Sequence, residues 1–251
     1  MKDAMLKTCR LSHVYRKNGQ PIEVLKDVNL QLFPGELVGI QGDSGSGKTT
    51  LLLACGAMLK PTAGEVWLSG DNLSEAGTSK RKQVRARQVG FLFQTLQLVP
   101  YLTVLENLLL HPAAHRAEAV EWLERFSLED RIGHRPAELS HGQRQRVALI
   151  RALVHQPAVL IADEPTGNLD ERNSRMVFEI LRHFADSGGA VLIASHEPGL
   201  GERVDRIHRL EQGRLSSGPL VESPDGEALQ ATDGMTPAME PVDRLDIDRT
   251  E

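Results

Sequence analysis

From residue 37 onwards, short apolar runs alternate with longer segments of helical periodicity. Four runs of four or five residues carry almost no polar side chains, which is typical of parallel strands buried on both faces. They lie at residues 37–40, 89–93, 159–162 and 190–194. Helical period and composition predict helices at residues 51–59, 103–110, 113–126, 142–154 and 170–186. This alternation predicts an α/β fold with a parallel core sheet.

The N-terminal region has a different pattern. Residues 5–14 and 22–33 alternate between apolar and polar side chains, which predicts two strands with one buried face each. The link between them, residues 16–21, has an Asn-Gly pair at its centre, which is typical of a hairpin turn. We predict an antiparallel β-subdomain here, with a further short strand at residues 65–68. The segments predicted to close the core sheet are residues 206–210 and 214–215.

The negative charge of the chain is concentrated at its C-terminus. The net charge is −5, but residues 216–251 hold nine acidic side chains and two arginines, a net of −7, so the remainder carries about +2. This segment also has four prolines, three glycines and no periodicity. We therefore predict a domain at residues 1–215 followed by an acidic tail that is disordered or extended. A near-neutral body gives no reason to expect nucleic acid, so the basic segment 80–87 is interpreted as a solvated helix face.

The cysteines and the apolar runs indicate the cellular location of the chain. Cys9 and Cys55 are far apart in the sequence and are interpreted as reduced core residues. No N-terminal signal pattern is visible, and the longest strictly apolar run, residues 51–59, is about half a membrane span. We expect a soluble cytoplasmic chain whose role at a membrane comes through a partner.

The segment after the first buried strand carries the strongest chemical signal. Residues 42–49 match GxxxxGK[ST], a glycine-rich loop between a strand and a helix, and Thr50 follows the match. Glycines let backbone N–H groups at the start of the helix approach the phosphates of a nucleotide. Lys48 would then reach the β- and γ-phosphates, and the Thr49 hydroxyl would bind Mg²⁺. The nucleotide-binding residues predicted in this loop are Gly42, Asp43, Ser44, Gly45, Ser46, Gly47, Lys48, Thr49 and Thr50.

The buried strand at residues 159–162 ends in two carboxylates, Asp163 and Glu164. The first can hold Mg²⁺ directly or through water, and the second can orient or deprotonate an attacking water. An acidic strand end alone is weak evidence, but together with the phosphate loop it indicates a hydrolytic site. Ligand groups gather at the carboxyl ends of parallel strands. The residues predicted at those ends are Gly42, Gln94, Asp163 and His196.

Residues 139–143, Leu-Ser-His-Gly-Gln, stand shortly before this acidic strand. They match the Leu-Ser-Gly-Gly-Gln signature of ATP-binding cassette (ABC) transporters at four of five positions, and the following helix resembles the family's. The chain also resembles this family at Tyr15, Gln94 and His196, and residues 167–170 stand where the family has its dimer-contact loop, all in the family's order. The resemblance covers about residues 5–215. It implies the family's P-loop NTPase fold, with a small helical subdomain at about residues 95–155.

The resemblance also implies roles for the matched residues. Tyr15 would stack on adenine, and Gln94 would touch Mg²⁺ and the lytic water and sense a membrane partner. Glu164 would act as the general base, and His196 would contact the γ-phosphate. The family works as a head-to-tail dimer of identical or related subunits that drives an integral-membrane permease. The residues that would close over the other subunit's ATP are Ser140, Gly142 and Gln143.

One residue departs from the signature. His141 replaces its first glycine, which would lower activity if that position needs a positive φ or a close approach to phosphate. Backbone N–H contact survives the replacement, and the His141 side chain could itself reach an anionic phosphate. We expect the site to hydrolyse ATP.

Within the family, residues 99–108 resemble the branch that serves lipoprotein release, macrolide-type export and cell division. This resemblance implies a location on the cytoplasmic face of the inner membrane, next to a permease with a large extracytoplasmic domain. The helical stretch at residues 108–136 is shorter than is usual in that branch, so the identity of the permease stays open. The alternative function is an ATP-dependent switch that controls an envelope enzyme without transport.

Overall fold

Ten strands and six α-helices occur in the part of the chain that the computed structural model describes, residues 3–167 and 169–220. The strands are β1 (Leu6–Lys17), β2 (Gln20–Leu32), β3 (Leu37–Gln41), β4 (Ala63–Leu68), β5 (Asp71–Asn72), β6 (Val89–Leu92), β7 (Val159–Asp163), β8 (Ala190–Ser195), β9 (Arg206–Glu211) and β10 (Arg214–Leu220). The helices are α1 (Lys48–Cys55), α2 (Thr78–Gln88), α3 (Val104–Leu108), α4 (Arg116–Arg125), α5 (His141–Leu153) and α6 (Glu171–Asp186).

Strands β1, β2, β4 and β5 form an antiparallel sheet in the order β2-β1-β4-β5, as predicted for the N-terminal region. The β1–β2 hairpin turns through Asn18 and Gly19 alone, with φ of +52° and +79°. Positive φ at both turn residues matches the right-handed twist of the strands. The link is therefore shorter than the predicted residues 16–21, and Pro21 lies inside the edge strand β2, where a missing N–H is tolerated.

The core sheet has the order β10-β9-β3-β8-β7-β6. Its strands from β9 to β6 are parallel, which confirms the predicted parallel sheet, and β10 adds an antiparallel edge. Strands β7 and β8 are buried along their whole length, which explains why they read as unbroken apolar runs.

Two apolar layers cover the two faces of this sheet. On β8, Leu192 packs in the layer that contains α1 and the antiparallel sheet, whereas Ile193 packs in the layer with α5 and α6. Helices α3, α4 and α5 pack on one another in this second layer, through residues such as Leu105, Leu123 and Leu149. The parallel strands are thus held from both sides, with their carboxyl ends left for the site.

Two predicted boundaries are wrong for identifiable reasons. Helix α1 ends at Cys55 and not at residue 59, because Ala57 adopts a φ of +58° and the Met58 N–H turns back to the Leu53 carbonyl. Helix α4 begins at Arg116, three residues later than predicted, after a turn.

The C-terminal strand is longer than predicted, since β10 runs to Leu220 and takes in five residues assigned to the tail. Residues 221–251 of the predicted tail and Asn168 in the predicted dimer-contact loop lie outside the described residues. Within the described residues, no helix combines the length and apolarity needed to cross a membrane.

Candidate active site

A cleft of about 580 Å³ opens at the carboxyl ends of the core strands. It brings together most of the predicted site residues from five separate parts of the chain. Those that line it are Tyr15, Asp43, Ser44, Gly45, Gly47, Lys48, Thr49, Thr50, Gln94, Asp163, Glu164 and His196. Val24, which was not predicted, lines it as well. Gly42 and Ser46 belong to the same loop without lining the cleft.

The phosphate loop leaves β3 and enters α1 through a backbone that needs its glycines. Gly47 has a φ of +109°, and a Cβ there would lie 2.9 Å from the Val24 carbonyl oxygen. A Cβ at Gly42 would overlap the Leu210 carbonyl oxygen. Any other residue at these two positions would force the loop away from its neighbours.

Lys48 lies under this loop and is almost fully buried. Its ammonium group donates to the carbonyl oxygens of Gly42, at 2.6 Å, and Asp43, at 3.1 Å. The cation is therefore held at the centre of the loop, beside the amino end of α1. A loop of backbone amides, a helix N-terminus and a buried ammonium together form an anion-binding site.

Thr49 and Asp163 join α1 to β7 across the cleft. The Thr49 hydroxyl donates to Asp163 Oδ2 at 2.8 Å. Burial raises the pKa of Asp163, and the nearby Glu164 carboxylate acts in the same direction, whereas the hydrogen bond from Thr49 opposes them. A hydroxyl and a carboxylate, with the Gln94 amide at the exposed rim, are oxygen donors of the kind that Mg²⁺ binds.

Both the backbone and the carboxylate of Glu164 are fixed by their surroundings. It is 9% exposed and has a φ of +50°, which is unusual for a residue with a side chain. Ser195 Oγ donates to one carboxylate oxygen at 3.0 Å, and His196 Nδ1 lies 2.8 Å from the other. Both oxygens are thereby oriented at the base of the cleft.

The signature residues Ser140, Gly142 and Gln143 do not line this cleft. They form the start of α5, where Ser140 Oγ accepts from the Gln143 N–H at 3.2 Å and Gln143 Oε1 accepts from the Ser140 N–H at 2.9 Å. This capping box leaves the first turn of the helix at the protein surface. A Cβ at Gly142 would press on the Asn173 side chain, at 2.8 Å.

His141, the departure from the signature, is the first residue of α5 and is exposed. Its backbone is right-handed helical, with a negative φ. The signature therefore does not need a glycine here for backbone conformation.

Comparison with known proteins identifies the family. The ABC transporter family profile matches residues 25–167, which include the phosphate loop, the signature and both carboxylates. The chain belongs to the ABC transporter family. It is an ATP-binding subunit of that family, and its reaction is ATP hydrolysis, as the signature predicted.

Individual relatives of this ABC subunit lie in the predicted branch. It is 41% identical over 224 residues to the lipoprotein-releasing system ATP-binding protein LolD of Shewanella oneidensis, a match that covers 86% of this chain and 97% of the relative. It is 42% identical over 225 residues to LolD of Pseudomonas syringae pv. tomato, covering 86% and 99%.

Solved ABC structures share its fold. A dimeric post-hydrolysis state of the ATP-binding cassette MJ0796 bound to ADP and Pi matches with a TM-score of 0.81 and 33% identity, over 87% of this chain and 100% of that one. The predicted P-loop NTPase fold is confirmed.

Sequence reasoning missed two residues of the site: Val24, which lines the cleft, and the buried Ser195, which donates to Glu164. Val24 reaches the cleft because β2 passes beside Gly47. This contact joins distant parts of the chain, so no local sequence pattern predicts it. Ser195 carried a signal, since it is a polar residue that closes an otherwise apolar buried strand.

Proposed function

We propose that this chain is the ATPase of a lipoprotein-releasing ABC transporter. The observation that carries the proposal is the cleft in which the phosphate loop faces Asp163, Glu164 and His196, in a chain about 40% identical to LolD proteins along most of its length. ATP is the substrate, and the free energy of its hydrolysis drives a membrane permease that extracts lipoproteins. The ATPase works on the cytoplasmic face of the inner membrane and is held there by that permease.

The triphosphate lies against the phosphate loop. The exposed residues 43–45 supply backbone N–H groups, and Lys48 neutralises charge on the β- and γ-phosphates. Thr50 and the first turn of α1 add the positive end of the helix. Tyr15, which also lines the cleft, stacks on adenine.

Thr49, Gln94 and Asp163 hold Mg²⁺. Their oxygen atoms fit the ion, and the carboxyl group whose pKa burial raises is the one that a nearby cation would stabilise in its charged form. The ion supplies charge neutralisation to the phosphates when it is bound. The Thr49–Asp163 hydrogen bond keeps the two side chains together at that position.

Glu164 orients the attacking water and accepts its proton. Its two oxygens are preoriented by Ser195 and His196, so little reorganisation is needed when the water binds. His196, whose side chain is largely exposed to the cleft, also contacts the γ-phosphate.

The complete site needs two subunits, identical or related. The signature residues Ser140, Gly142 and Gln143 lie on an exposed helix start outside the cleft of their own chain. In a head-to-tail dimer they close over the ATP of the partner, and the loop at residues 167–170 lies at the same contact. Gln94 and the segment that follows it transmit closure to the permease.

The test compares the wild type with Glu164→Gln, and with Glu124→Gln on the exposed face of α4 as a matched control. Wild type and control should hydrolyse ATP with Mg²⁺. Glu164→Gln should lose turnover by at least about a hundred-fold and accumulate as an ATP-bound dimer in gel filtration. Turnover in Glu164→Gln that equals the wild type would overturn the assignment of the base.

Transport is tested in proteoliposomes that contain the permease and an acylated lipoprotein. ATP should release the lipoprotein with the wild-type chain and not with Glu164→Gln. ATP hydrolysis that changes an envelope enzyme's activity but releases no lipoprotein would favour the regulatory switch instead.

A further inference from the structure

Strand β1 is irregular where it approaches the cleft. Its pairing with β2 shifts register on both sides of His13. The extra residue of each shift lies on β2, and bulges of this kind are frequent next to functional sites. Leu11, His13 and Tyr15 alternate along one face of the strand; the first two are buried and Tyr15 is 41% exposed at the cleft.

Thr62, in the segment between α1 and β4, bonds to β1 on the edge opposite β2. Its N–H donates to the Ser12 carbonyl at 3.0 Å, and its hydroxyl oxygen accepts from the Val14 N–H at 3.0 Å. The same hydroxyl lies 3.4 Å from His13 Nδ1. Since the oxygen already accepts from Val14, its proton is available for the ring nitrogen. Thr62 therefore bonds to the backbone on both sides of His13, and its hydroxyl also contacts the His13 ring.

The protonation state of the His13 ring is compatible with its contact with the Thr62 hydroxyl. Burial lowers the pKa of His13, against a smaller opposite effect of a backbone hydrogen bond with Lys60, so the ring is neutral near pH 7. A neutral ring offers Nδ1 as an acceptor for the Thr62 hydroxyl. The orientation of the His13 ring is thus fixed by its neighbours.

This fixed ring packs against Tyr15. The two ring centroids are 4.6 Å apart and the planes are inclined at 78°, an edge-to-face contact. Aromatic pairs favour this arrangement. Tyr15 is near the end of its strand and more than a third exposed, so the contact with His13 is what restrains the plane it presents to the cleft.

We propose that His13 is a positioning residue for adenine, which with Thr62 holds the Tyr15 ring in the plane on which the base stacks. The inference rests on the proposed function, because it requires Tyr15 to stack on adenine. It concerns the base alone: the phosphates are held by another part of the cleft. Removing the His13 ring should therefore weaken a ligand that has a base and leave a base-free polyphosphate unaffected.

The experiment measures binding of ADP with Mg²⁺, and of inorganic tripolyphosphate, by titration calorimetry. Tyr15→Ala should weaken ADP about ten-fold. His13→Ala should weaken it about three- to ten-fold. Thr62→Val, which replaces the hydroxyl with a methyl group of similar size, should weaken it about two-fold. None of the three should change the affinity for tripolyphosphate.

A double-variant cycle separates positioning from general destabilisation. In the Tyr15→Ala background, His13→Ala should have no further effect on ADP affinity, because there is no ring left to orient. Thr8→Val is the matched control on β1, the strand of His13: it breaks a buried hydrogen bond to the Val28 carbonyl of β2, so it should lower the melting temperature while ADP affinity stays unchanged.

The outcomes distinguish the two proposals. If Tyr15→Ala leaves ADP affinity unchanged, the stacking role fails and the inference fails with it. If Tyr15→Ala weakens ADP but His13→Ala and Thr62→Val do not, only the role of His13 is overturned. Additive effects in the double variant, or equal losses for tripolyphosphate, would also overturn it and leave a structural role.

Discussion

The Ser195 hydroxyl donates a hydrogen bond of 3.0 Å to Glu164 Oε2, from the end of one core strand to the end of its neighbour. Ser195 Oγ also accepts from the Glu197 N–H at 3.1 Å, so the hydroxyl group acts both as a donor and as an acceptor. Glu164 itself is held at a φ of +50°, a conformation that costs roughly 1–3 kcal/mol at a non-glycine residue. The fold thus maintains a strained backbone at Glu164 and one orientation of its carboxylate, as expected of the general base proposed for this site.

Ser195→Ala should therefore slow hydrolysis without weakening nucleotide binding. Loss of a hydrogen bond to a charged group is worth about 1.5 kcal/mol, which corresponds to a fall in kcat of about ten-fold. Steady-state kinetics should show an unchanged KM for ATP. Ser174→Ala, at a buried serine of α6 away from the cleft, is the control and should retain wild-type kcat. A rise in KM with kcat intact would contradict a role in orienting Glu164.

Asp163→Asn should stabilise the nucleotide-free protein while removing Mg²⁺-dependent hydrolysis. Burial raises the pKa of Asp163, so the folded state disfavours its charged form, and stability is lost as the pH rises through that pKa. A neutral amide avoids this cost at pH 7. We expect the melting temperature to rise by about 2–4 °C, the effect of about 1 kcal/mol in a domain of this size. Scanning calorimetry without nucleotide measures it, and a lower melting temperature would contradict the explanation.

Much of the core sheet could be predicted, because strands that are buried on both faces consist almost entirely of apolar residues. Strands β3, β7 and β8 appear as unbroken apolar runs, and the phosphate loop joins the first of them to its helix. The helix predicted to begin at residue 170 is α6, and Asp170 caps it, since its side chain accepts from the Asn173 N–H at 2.8 Å. These features depend on neighbours in the chain, which a sequence shows directly.

What could not be predicted depends on contacts between distant segments. The positive φ of Glu164 has no local signature, since glycine or asparagine is the usual residue there. The early end of α1 follows from Ala57, which most sequence rules would extend as helix. The contact between His13 and Thr62 joins strand β1 to a segment 49 residues away. Such pairs become visible only in the folded chain.

His155 makes stability depend on pH. Burial, reinforced by the neighbouring His111, lowers its pKa to about 4, and the two rings stack with centroids 4.0 Å apart. The unfolded chain takes up this proton near pH 6.5, so stability present above that pH is lost as the pH falls towards 4. The expected loss is about 3 kcal/mol.

Replacing this ring tests the effect. His155→Phe keeps an aromatic ring against His111 but cannot bind a proton, so urea unfolding between pH 7 and pH 4.5 should show a smaller fall in stability than in the wild type. His115→Gln, at an exposed histidine, should follow the wild-type curve. Parallel curves for His155→Phe and the wild type would show that another group carries the pH dependence.

Asn107 is a fully buried amide that holds the turn before α3 together. Its Oδ1 accepts from the Val99 N–H at 2.7 Å, and its amide nitrogen donates to the carbonyl oxygens of Val99, Leu102 and Thr103 at 2.9–3.2 Å. The turn carries Tyr101, which is 73% exposed. A leucine at position 107 has a similar size but would leave the Val99 N–H and the Leu102 carbonyl without these hydrogen bonds.

Asn107→Leu should lower the free energy of unfolding by about 3 kcal/mol, since each buried group left without a partner costs about 1–3 kcal/mol. Urea unfolding measures this change, and limited proteolysis should show earlier cleavage at residues 99–103, because the turn then opens without global unfolding. Tyr101→Ala, in the same turn but exposed, should leave both readouts unchanged. If Asn107→Leu is as stable and as resistant as Tyr101→Ala, the turn is held by its own backbone and not by the Asn107 amide.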